Sequence, residues 1–520
     1  MLALLFTSVT ARLFFLVSEN SIYTSVTPSK RTAELVNYRG LIYDRYGRKL
    51  VYNNSSYRIL IKPSHSVLTQ IKALPESEKI TENIKRGKLS VISVNEKPSI
   101  TENENITVTE IKERYSSDFL CHILGYTDTE NNGICGTEKI CNNILKTNKS
   151  KISVIYDTDA LGRALLGTDT EIRFENENDK SGVMLTVDKD IQEIAESEMK
   201  KSTVKKGAVI ILDCKTAEIL ASVSVPTFDL NNPGDCLKDE SSPFINRAFS
   251  QFAVGSVFKV VTAAAYTENH TEDFKYYCKG STVKSDTLFN CSNTDGHKSL
   301  YLTDALSKSC NTYFIELANT VGGECLYNTA KKLGFDESYD IGMGYTVPGG
   351  YIPVIDSLNS EAAIGNFGFG QGELTASPLQ IAVCFNTLAN NGIFKYPKLI
   401  KSTVNSDGSK ENIIYKSDKR VLKEATAEKI NNALLNAVLN GTGTNAYSKS
   451  FSVCGKTATA ETGRADENGN PVYNTWFCGF FPYENPQYVI CILKENGTSG
   501  SSDDAPVFKN IAERIYALNR

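Results

Sequence analysis

The sequence predicts a mixed α+β fold in which strands from both ends of a long C-terminal region complete one sheet. After an amphipathic helix, DKDIQEIAESEM, two apolar strands separated by a polar turn lie in KGAVIILDCKTAEILASVSVP. Two more strands, NTWFCGFFPY and QYVICILKE, lie near the C-terminus. The sequence between these strand pairs is mainly helical, in the stretches FKVVTAAAYTE, LTDALSKSCNTYFIELANTV, SPLQIAVCFNTLAN and ATAEKINNALLNAVLN. Helices between early and late strands indicate an α/β domain.

The length of 520 residues favours two globular units and a short N-terminal segment. Residues 20–181 are polar and contain short β-like runs, SYRILIK, LSVISV and ITVTEI, which predict an elongated accessory domain. Residues 182–520 form the second domain.

The first nineteen residues are a candidate membrane anchor. The run MLALLFTSVTARLFFLV is apolar apart from Arg12, but it barely reaches the length that a bilayer requires. A clipped start would explain why no basic stretch precedes it, and a buried N-terminal helix is the alternative.

Composition excludes several classes of protein. Hydrophobic content of 41% and charged content of 22% are typical of a folded globular chain. The net charge is −4 and no basic run stands out, so we expect no nucleic-acid partner.

The thirteen cysteines show no metal-binding or disulfide pattern. There is no C-x-x-C pair, and Cys278 and Cys291 lie thirteen positions apart, without the paired spacing of zinc modules. We therefore expect neither a metal site nor a cofactor, and most of the thiols should be buried. A Cys278–Cys291 bridge stays open, and His297 is expected to be a loop residue.

A serine nucleophile activated by lysine is the chemistry that the residues favour. None of the four histidines lies in a histidine-based catalytic motif, and lysine is the usual substitute as base. Ser256 and Lys259 are three positions apart at the start of an apolar helical run, so they share one face of a helix. Ser197 and Lys200 have the same spacing inside a charged helix, where a solvated surface is the better interpretation.

Order and context distinguish the true motif from such chance matches. Ser256-Val-Phe-Lys259 is followed by Ser309-Cys-Asn311 and then by Lys456-Thr-Ala-Thr at a probable strand. These segments resemble the SxxK, SxN and KTG motifs of penicillin-binding proteins and serine β-lactamases. NRAFSQFAVGSVFK, FGFGQGELTASPLQIA and the N-terminal RGLIYDRYGRKL are also similar to family segments, and the last resembles the box of class B enzymes.

The resemblance implies the penicillin-binding transpeptidase fold, with an antiparallel sheet flanked by helices, an all-helical part and a β-rich N-terminal pedestal. It implies that Ser256 attacks a D-Ala-D-Ala stem peptide and that Lys259 is its base. Ser309 would relay a proton, Asn311 would hold the substrate amide and contact Lys259, and Lys456 would act electrostatically on Ser309.

The motif on the strand implies the substrate-binding residues. Thr457 and Thr459 would bind the terminal carboxylate, and the backbone N–H groups of Ser256 and Thr459 would form the oxyanion hole. Ala458 stands where the family prefers glycine. Its methyl group should project on the same face of the strand as Lys456.

As a class B enzyme, the chain is expected to cross-link peptidoglycan, to be inhibited by β-lactams, and to act outside the cytoplasm from a single-pass membrane anchor. A membrane-embedded glycan polymerase is the implied partner. Two alternatives stay open: a D,D-carboxypeptidase or β-lactamase-like hydrolase, and a non-catalytic penicillin sensor or scaffold. Ala458 is the single departure within the three motifs.

Overall fold

The computed structural model describes residues 29–518 together with Val9, Thr10 and Arg12. The candidate anchor in residues 1–19 thus lies almost entirely outside the described residues. Among the residues that the structure describes, no helix is long and apolar enough to span a bilayer.

The described chain divides into two units, and the first is rich in β-structure. It comprises Tyr52–Arg114, Thr147–Lys180 and the described residues up to Arg39. It contains two antiparallel three-stranded sheets. The strand order of the first sheet is Ser29–Asn37, Lys151–Thr158, Glu171–Glu175. The strand order of the second sheet is Ser90–Val94, Asn54–Ile61, Ile106–Glu113. The strands predicted from SYRILIK, LSVISV and ITVTEI are confirmed.

One apolar core of the first unit forms where a helix packs on a sheet, and a further cluster includes Leu35, Leu60 and Val154 from strands of both sheets. Helix Ser77–Lys85 buries Ile80 and Ile84 against Ile59 and Ile92 of the second sheet. Two short 3₁₀ turns, His65–Val67 and Ile71–Ala73, precede this helix.

The second unit is built around a five-stranded antiparallel sheet. It comprises Gly40–Val51, Tyr115–Lys146 and the chain from Ser181 onward. The strand order is Ile219–Val225, Gly207–Asp213, Tyr488–Glu495, Pro471–Phe481, Cys454–Ala465. The two early strands and the late strands complete one sheet, as the sequence predicts, and Cys454–Ala465 is an edge strand.

Helices cover both faces of this sheet. Lys189–Lys201 and Ala505–Tyr516 contribute to an apolar core on one side. Pro378–Ala389, which is buried along its whole length, packs on the sheet as well. The other helices of the unit are Cys121–Leu124, Gly136–Ile140, Asn142–Leu145, Lys259–Asn269, Leu302–Ser307, Asn311–Val321, Gly323–Lys332, Glu361–Phe369 and Glu424–Asn440.

Smaller sheets complete the second unit. One four-stranded sheet has the order Leu41–Tyr43, Gly182–Leu185, Ile400–Val404, Lys410–Asn412. Five two-stranded sheets pair Phe252–Ala253 with Thr375–Ala376, Tyr276–Cys278 with Lys298–Leu300, Ser281–Lys284 with Thr287–Asn290, Tyr339–Asp340 with Thr346–Val347, and Ile393–Phe394 with Lys419–Arg420.

The buried helix Pro378–Ala389 begins with a capping box. The Ser377 side chain accepts a hydrogen bond from the Gln380 backbone N–H, and the Gln380 side chain accepts one from the Ser377 N–H. This capping box satisfies two donors that the first turn leaves without partners in the helix, and Pro378 fits the first helical position.

Ser377→Ala should therefore destabilise the second unit by about 1 kcal/mol, because a cap is lost in a buried setting. Thermal unfolding followed by calorimetry would report a lower transition midpoint. Ser406→Ala, at an exposed turn, is the matched control and should leave the midpoint unchanged. Equal midpoints for the two variants would contradict this role of the cap.

Candidate active site

A tight 3₁₀ turn carries Ser256 directly into the helix that begins at Lys259. The turn spans Gly255–Phe258, and the Lys259 backbone N–H donates to the Ser256 carbonyl. Because a 3₁₀ helix has three residues per turn, residues three apart are superposed along its axis. Ser256 and Lys259 therefore lie one turn apart, as their spacing predicts.

Gly255 sets this turn against the edge strand Cys454–Ala465. Its φ is +66°, and a Cβ atom there would lie 2.9 Å from the Ala460 Cβ and 3.1 Å from its Cα. A side chain at this position is thus excluded both by backbone conformation and by space. The close approach brings Ser256 next to the strand that carries the third motif.

Lys259 is fully buried, and its amine lies against the second motif. Nζ donates to the Asn311 Oδ1 at 2.7 Å, to the Ser309 carbonyl at 2.8 Å and to the Ser309 Oγ at 3.2 Å. Burial lowers the pKa of Lys259 to about 8, although Cys310 and Cys291 act in the opposite direction. A neutral amine is therefore far more accessible here than on an exposed lysine.

Lys456 reaches the same serine from the edge strand. It is fully buried, and its Nζ donates to the Ser309 Oγ at 2.9 Å and to the Thr457 carbonyl at 3.0 Å. Burial, followed by the charge of Lys259, lowers the pKa of Lys456 well below its usual value. The Ser309 hydroxyl thus accepts hydrogen bonds from two buried amines that come from two different elements.

The second motif is a break between two helices. The long helical stretch expected across LTDALSKSCNTYFIELANTV is interrupted, with Leu302–Ser307 before the break and Asn311–Val321 after it. Ser309 has φ +55°, a left-handed conformation that costs a non-glycine residue of order 1–3 kcal/mol. This break lets Ser309 present both its carbonyl and its hydroxyl to Lys259.

The remaining residues of the third motif differ in exposure. Thr457 is buried, with its hydroxyl 2.8 Å from that of Thr442, and Thr459 is exposed. Ala458 is buried, and its backbone lies so close to Gly500 that a Cβ atom on Gly500 would come within 2.6 Å of the Ala458 carbonyl oxygen. The orientation of the Ala458 methyl group toward the same face of the strand as Lys456 stays a prediction.

A cleft of about 890 Å³ opens beside the second motif. Its wall includes Asn311, Phe252, Phe289, Phe369, Gln371 and Thr375. The indole Nε1 of Trp476 donates to the Ala253 carbonyl at 3.0 Å, and this ring is fully buried. Trp476 is therefore a core residue that supports the cleft and not a surface for ligand stacking.

Sequence reasoning missed one group of side chains beside the second motif. The sulfur atoms of Cys278, Cys291 and Cys310 and a ring nitrogen of His297 all lie within 4.8 Å of one another. All thirteen cysteines are free thiols in the structure, including these three. Their separations along the chain match no zinc module, and only the repeated Cys and His in the segment from 278 to 310 could have drawn attention to them.

Comparison with known families decides the class of protein. Residues 207–513 match the penicillin binding protein transpeptidase domain, which is more than half of the chain. The chain belongs to this family. It is a class B penicillin-binding protein, so the predicted family, fold and transpeptidase class of enzyme are confirmed.

Named relatives of this penicillin-binding protein are similar over most of its length. Stage V sporulation protein D of Bacillus subtilis is 29% identical over 91% of this chain and 77% of its own. The peptidoglycan D,D-transpeptidase FtsI homolog of Mesostigma viride is 26% identical over 98% of this chain and 93% of its own. The peptidoglycan D,D-transpeptidase MrdA of Haemophilus influenzae is 27% identical over 93% and 84%.

Solved structures show the same fold. The D,D-transpeptidase domain of a peptidoglycan glycosyltransferase from Eggerthella lenta superposes with a TM-score of 0.68 at 24% identity, covering 93% of this chain and 99% of that one. Penicillin binding protein 3 of Mycobacterium tuberculosis, complexed with aztreonam, gives 0.68 at 24% identity, covering 94% and 97%. These likenesses confirm the mixed fold with its β-rich N-terminal unit.

Gly255→Ala should lower the rate of acylation by a fluorescent penicillin by about tenfold or more, because the new methyl group displaces the Ser256 turn from the edge strand. Gly344→Ala is the matched control. Its φ is also positive, at +79°, but no heavy atom lies within 4 Å of the added Cβ. Comparable acylation rates in the two variants would contradict the packing role of Gly255.

Proposed function

We propose that this penicillin-binding protein cross-links peptidoglycan as a D,D-transpeptidase, through an acyl-enzyme on Ser256. The observation that carries the proposal is the sharing of one Ser309 hydroxyl by two buried amines, one of which lies a single turn from Ser256. A serine hydroxyl becomes a competent nucleophile only when a nearby base takes its proton, and a buried lysine can be that base.

In the acylation step, neutral Lys259 accepts the proton of the Ser256 hydroxyl. The serine oxygen bonds to the penultimate D-Ala carbonyl carbon of a stem peptide, and the peptide bond to the terminal D-Ala breaks. The departing nitrogen takes up a proton, so free D-Ala leaves. In the second half of the reaction, the amine of another stem peptide attacks the ester, forms the cross-link and returns the proton to the enzyme.

Ser309 is suited to relay a proton to the leaving nitrogen. A neutral Lys259 has two N–H groups, which its two shortest contacts, the Asn311 Oδ1 and the Ser309 carbonyl, can use. The Ser309 Oγ then accepts from Lys456, and its hydroxyl proton is free to be donated toward the substrate. Two amines buried together resist holding two positive charges, so one neutral and one protonated amine is a favourable state of the pair. The proposed reaction requires the pair to hold its one proton on Lys456 at the moment when Lys259 acts as the base.

Asn311 has a double role in this proposal. Its Oδ1 accepts from Lys259 and its Nδ2 donates to the Asn290 carbonyl at 3.3 Å, while the residue also lines the cleft. These contacts orient the amide, so it can hold the substrate's peptide group beside the nucleophile.

The edge strand supplies the substrate contacts. We assign the terminal carboxylate to Thr457 and Thr459, and the oxyanion hole to the backbone N–H groups of Ser256 and Thr459. An edge strand has unpaired N–H groups along one side, which supports this assignment. The loss of one such donor typically costs about a hundredfold in rate.

We also propose the wider organisation that the sequence predicts. Residues 182–520 form the transpeptidase domain, residues 20–181 the pedestal and residues 1–19 a single membrane anchor, so that catalysis takes place outside the cytoplasm. Two segments of the proposed pedestal region, Gly40–Val51 and Tyr115–Lys146, belong to the same compact unit as the transpeptidase domain. Its ligands are peptidoglycan stem peptides and β-lactams, and a membrane-embedded glycan polymerase is its proposed partner.

Intact-mass analysis after benzylpenicillin, followed by peptide mapping, tests this function. We expect one stable adduct per chain, located on Ser256, and none on Ser256→Ala. Ser197→Ala is the matched control because it removes the serine of the decoy motif on helix Lys189–Lys201, and its adduct should equal that of the wild type.

An adduct on another residue would refute the assignment of Ser256. Rapid loss of the adduct in water would favour the hydrolase alternative. If Ser256→Ala still replaced the wild-type protein in growing cells, the non-catalytic scaffold would be the correct interpretation.

Ala458, the alanine in the third motif, should affect the rate of acylation by β-lactams at least as strongly as the turnover of peptides. Ala458→Gly removes a buried methyl group beside the proposed carboxylate site. We expect the rate of acylation by benzylpenicillin to change by at least as large a factor as the turnover of a stem-peptide substrate, with both measured on the purified enzyme. Negligible effects on both reactions would refute this role for Ala458.

A further inference from the structure

Three cysteines and one histidine converge beside the second motif, and the proposed reaction uses none of these four side chains. Cys278 ends the strand Tyr276–Cys278, Cys291 follows the strand Thr287–Asn290, and His297 precedes the strand Lys298–Leu300. Cys310 is the residue between Ser309 and Asn311. Among the residues that the structure describes, these four form the one group of three or more thiol, imidazole or carboxyl side chains placed to hold a metal ion.

Three of the six separations between these ligand atoms are close to those of a tetrahedron around one zinc ion, and all six are within 4.8 Å. Zn–S and Zn–N bonds of about 2.3 and 2.0 Å require sulfur atoms about 3.8 Å apart and sulfur–nitrogen separations of about 3.5 Å. The sulfur atoms of Cys291 and Cys310 are 3.8 Å apart. The His297 Nδ1 lies 3.3 Å from the sulfur of Cys291 and 3.8 Å from that of Cys278.

A threonine hydroxyl lies between two of the sulfur atoms. The Thr312 hydroxyl donates to the sulfur of Cys278 at 3.2 Å. The same hydroxyl oxygen lies 3.4 Å from the sulfur of Cys310. Donors of this kind orient thiolate ligands and stabilise their charge in metal sites.

Two glycines allow the loops that carry these ligands to approach closely. A Cβ atom on Gly296 would lie 2.3 Å from the Cys278 carbonyl oxygen, and one on Gly280 would lie 2.0 Å from the Thr294 carbonyl oxygen. The Cys291 backbone N–H donates to the Gly280 carbonyl at 2.8 Å. Close backbone contacts therefore bring together the loops that carry these side chains.

We propose that Cys278, Cys291, His297 and Cys310 bind one Zn²⁺ ion in a closed, four-coordinate site that fixes the Ser309–Asn311 segment in place. Three thiolates and an imidazole suit zinc, whereas magnesium and calcium prefer oxygen ligands. Four protein ligands leave no position for water, so the ion is structural and takes no part in the chemistry. The sequence predicts no metal site because the separations of 13, 6 and 13 positions between these four residues match no standard zinc module.

Ligation of Cys310 acts directly on the two neighbouring motif residues. Ser309 holds a left-handed backbone conformation, and the Asn311 side chain donates to the carbonyl of Asn290, the residue before Cys291. The ion would therefore hold Cys291 and Cys310, which are the chain neighbours of the two residues in this hydrogen bond. The effect on acylation depends on the proposed function, whereas the binding of zinc does not.

Metal analysis of the full-length protein, purified under reducing conditions without chelator, tests the site. We expect one zinc per chain in the wild type and its loss in Cys278→Ser and in His297→Ala. Cys236→Ser and His65→Ala are matched controls, at half-buried and exposed positions away from the cluster, and should keep one zinc. Circular dichroism establishes that each variant is folded.

A second measurement does not depend on any variant. After zinc is removed from the wild type with a chelator, Co²⁺ added to the reduced protein should give the visible absorption of a tetrahedral ion and the near-ultraviolet charge-transfer band of thiolate ligands. Removal of zinc should also lower the thermal midpoint of the second unit and slow acylation by a fluorescent penicillin by about tenfold or more. Restoration of zinc should reverse both changes.

Three outcomes would overturn the proposal. The first is a wild type that contains no zinc and binds neither Zn²⁺ nor Co²⁺ when reduced. The second is full zinc content in Cys278→Ser and His297→Ala. The third is a Cys291–Cys310 disulfide in protein from cells, with no metal bound. If zinc binds as expected but penicillin forms no adduct, the metal site stands and the proposed function fails.

Discussion

Two lysine amines buried around one serine hydroxyl are the interaction on which the site depends. Lys259 comes from the helix after the Gly255–Phe258 turn and Lys456 from the edge strand, so the shared Ser309 hydroxyl joins the helical part to the sheet. Burial of an amine is costly unless its hydrogen bonds are satisfied and its charge is balanced or lost. Lys259 makes three such bonds, which accounts for its being tolerated in a fully buried position.

This arrangement requires backbone that a regular helix cannot provide. In a continuous helix the Ser309 carbonyl would be used by a residue four positions later. The break between Leu302–Ser307 and Asn311–Val321 frees it for Lys259, at the cost of the left-handed conformation of Ser309. Gly255 is the corresponding feature in the turn that carries Ser256, where the absence of a side chain allows contact with Ala460.

The sequence predicted the parts of this structure that depend on local pattern. Apolar runs located the strands of the central sheet, and the order of the three motifs selected Ser256, Ser309 and Lys456, whose segments lie next to one another in the fold. It did not predict the break at Ser309, because LTDALSKSCNTYFIELANTV has continuous helical periodicity and contains neither proline nor glycine. The break arises from tertiary contacts with the two lysines, which no local pattern contains.

The cysteine cluster escaped prediction for a related reason. Its four side chains come from separate strand ends and from the break itself, so their proximity depends on the fold and not on a repeated spacing. Consecutive residues at the break have different partners, since Ser309 and Asn311 contact Lys259 while the sulfur of Cys310 lies within the cluster. A segment held by both sets of contacts has little freedom to relax. That is how a strained serine can persist where a reaction requires a fixed hydroxyl.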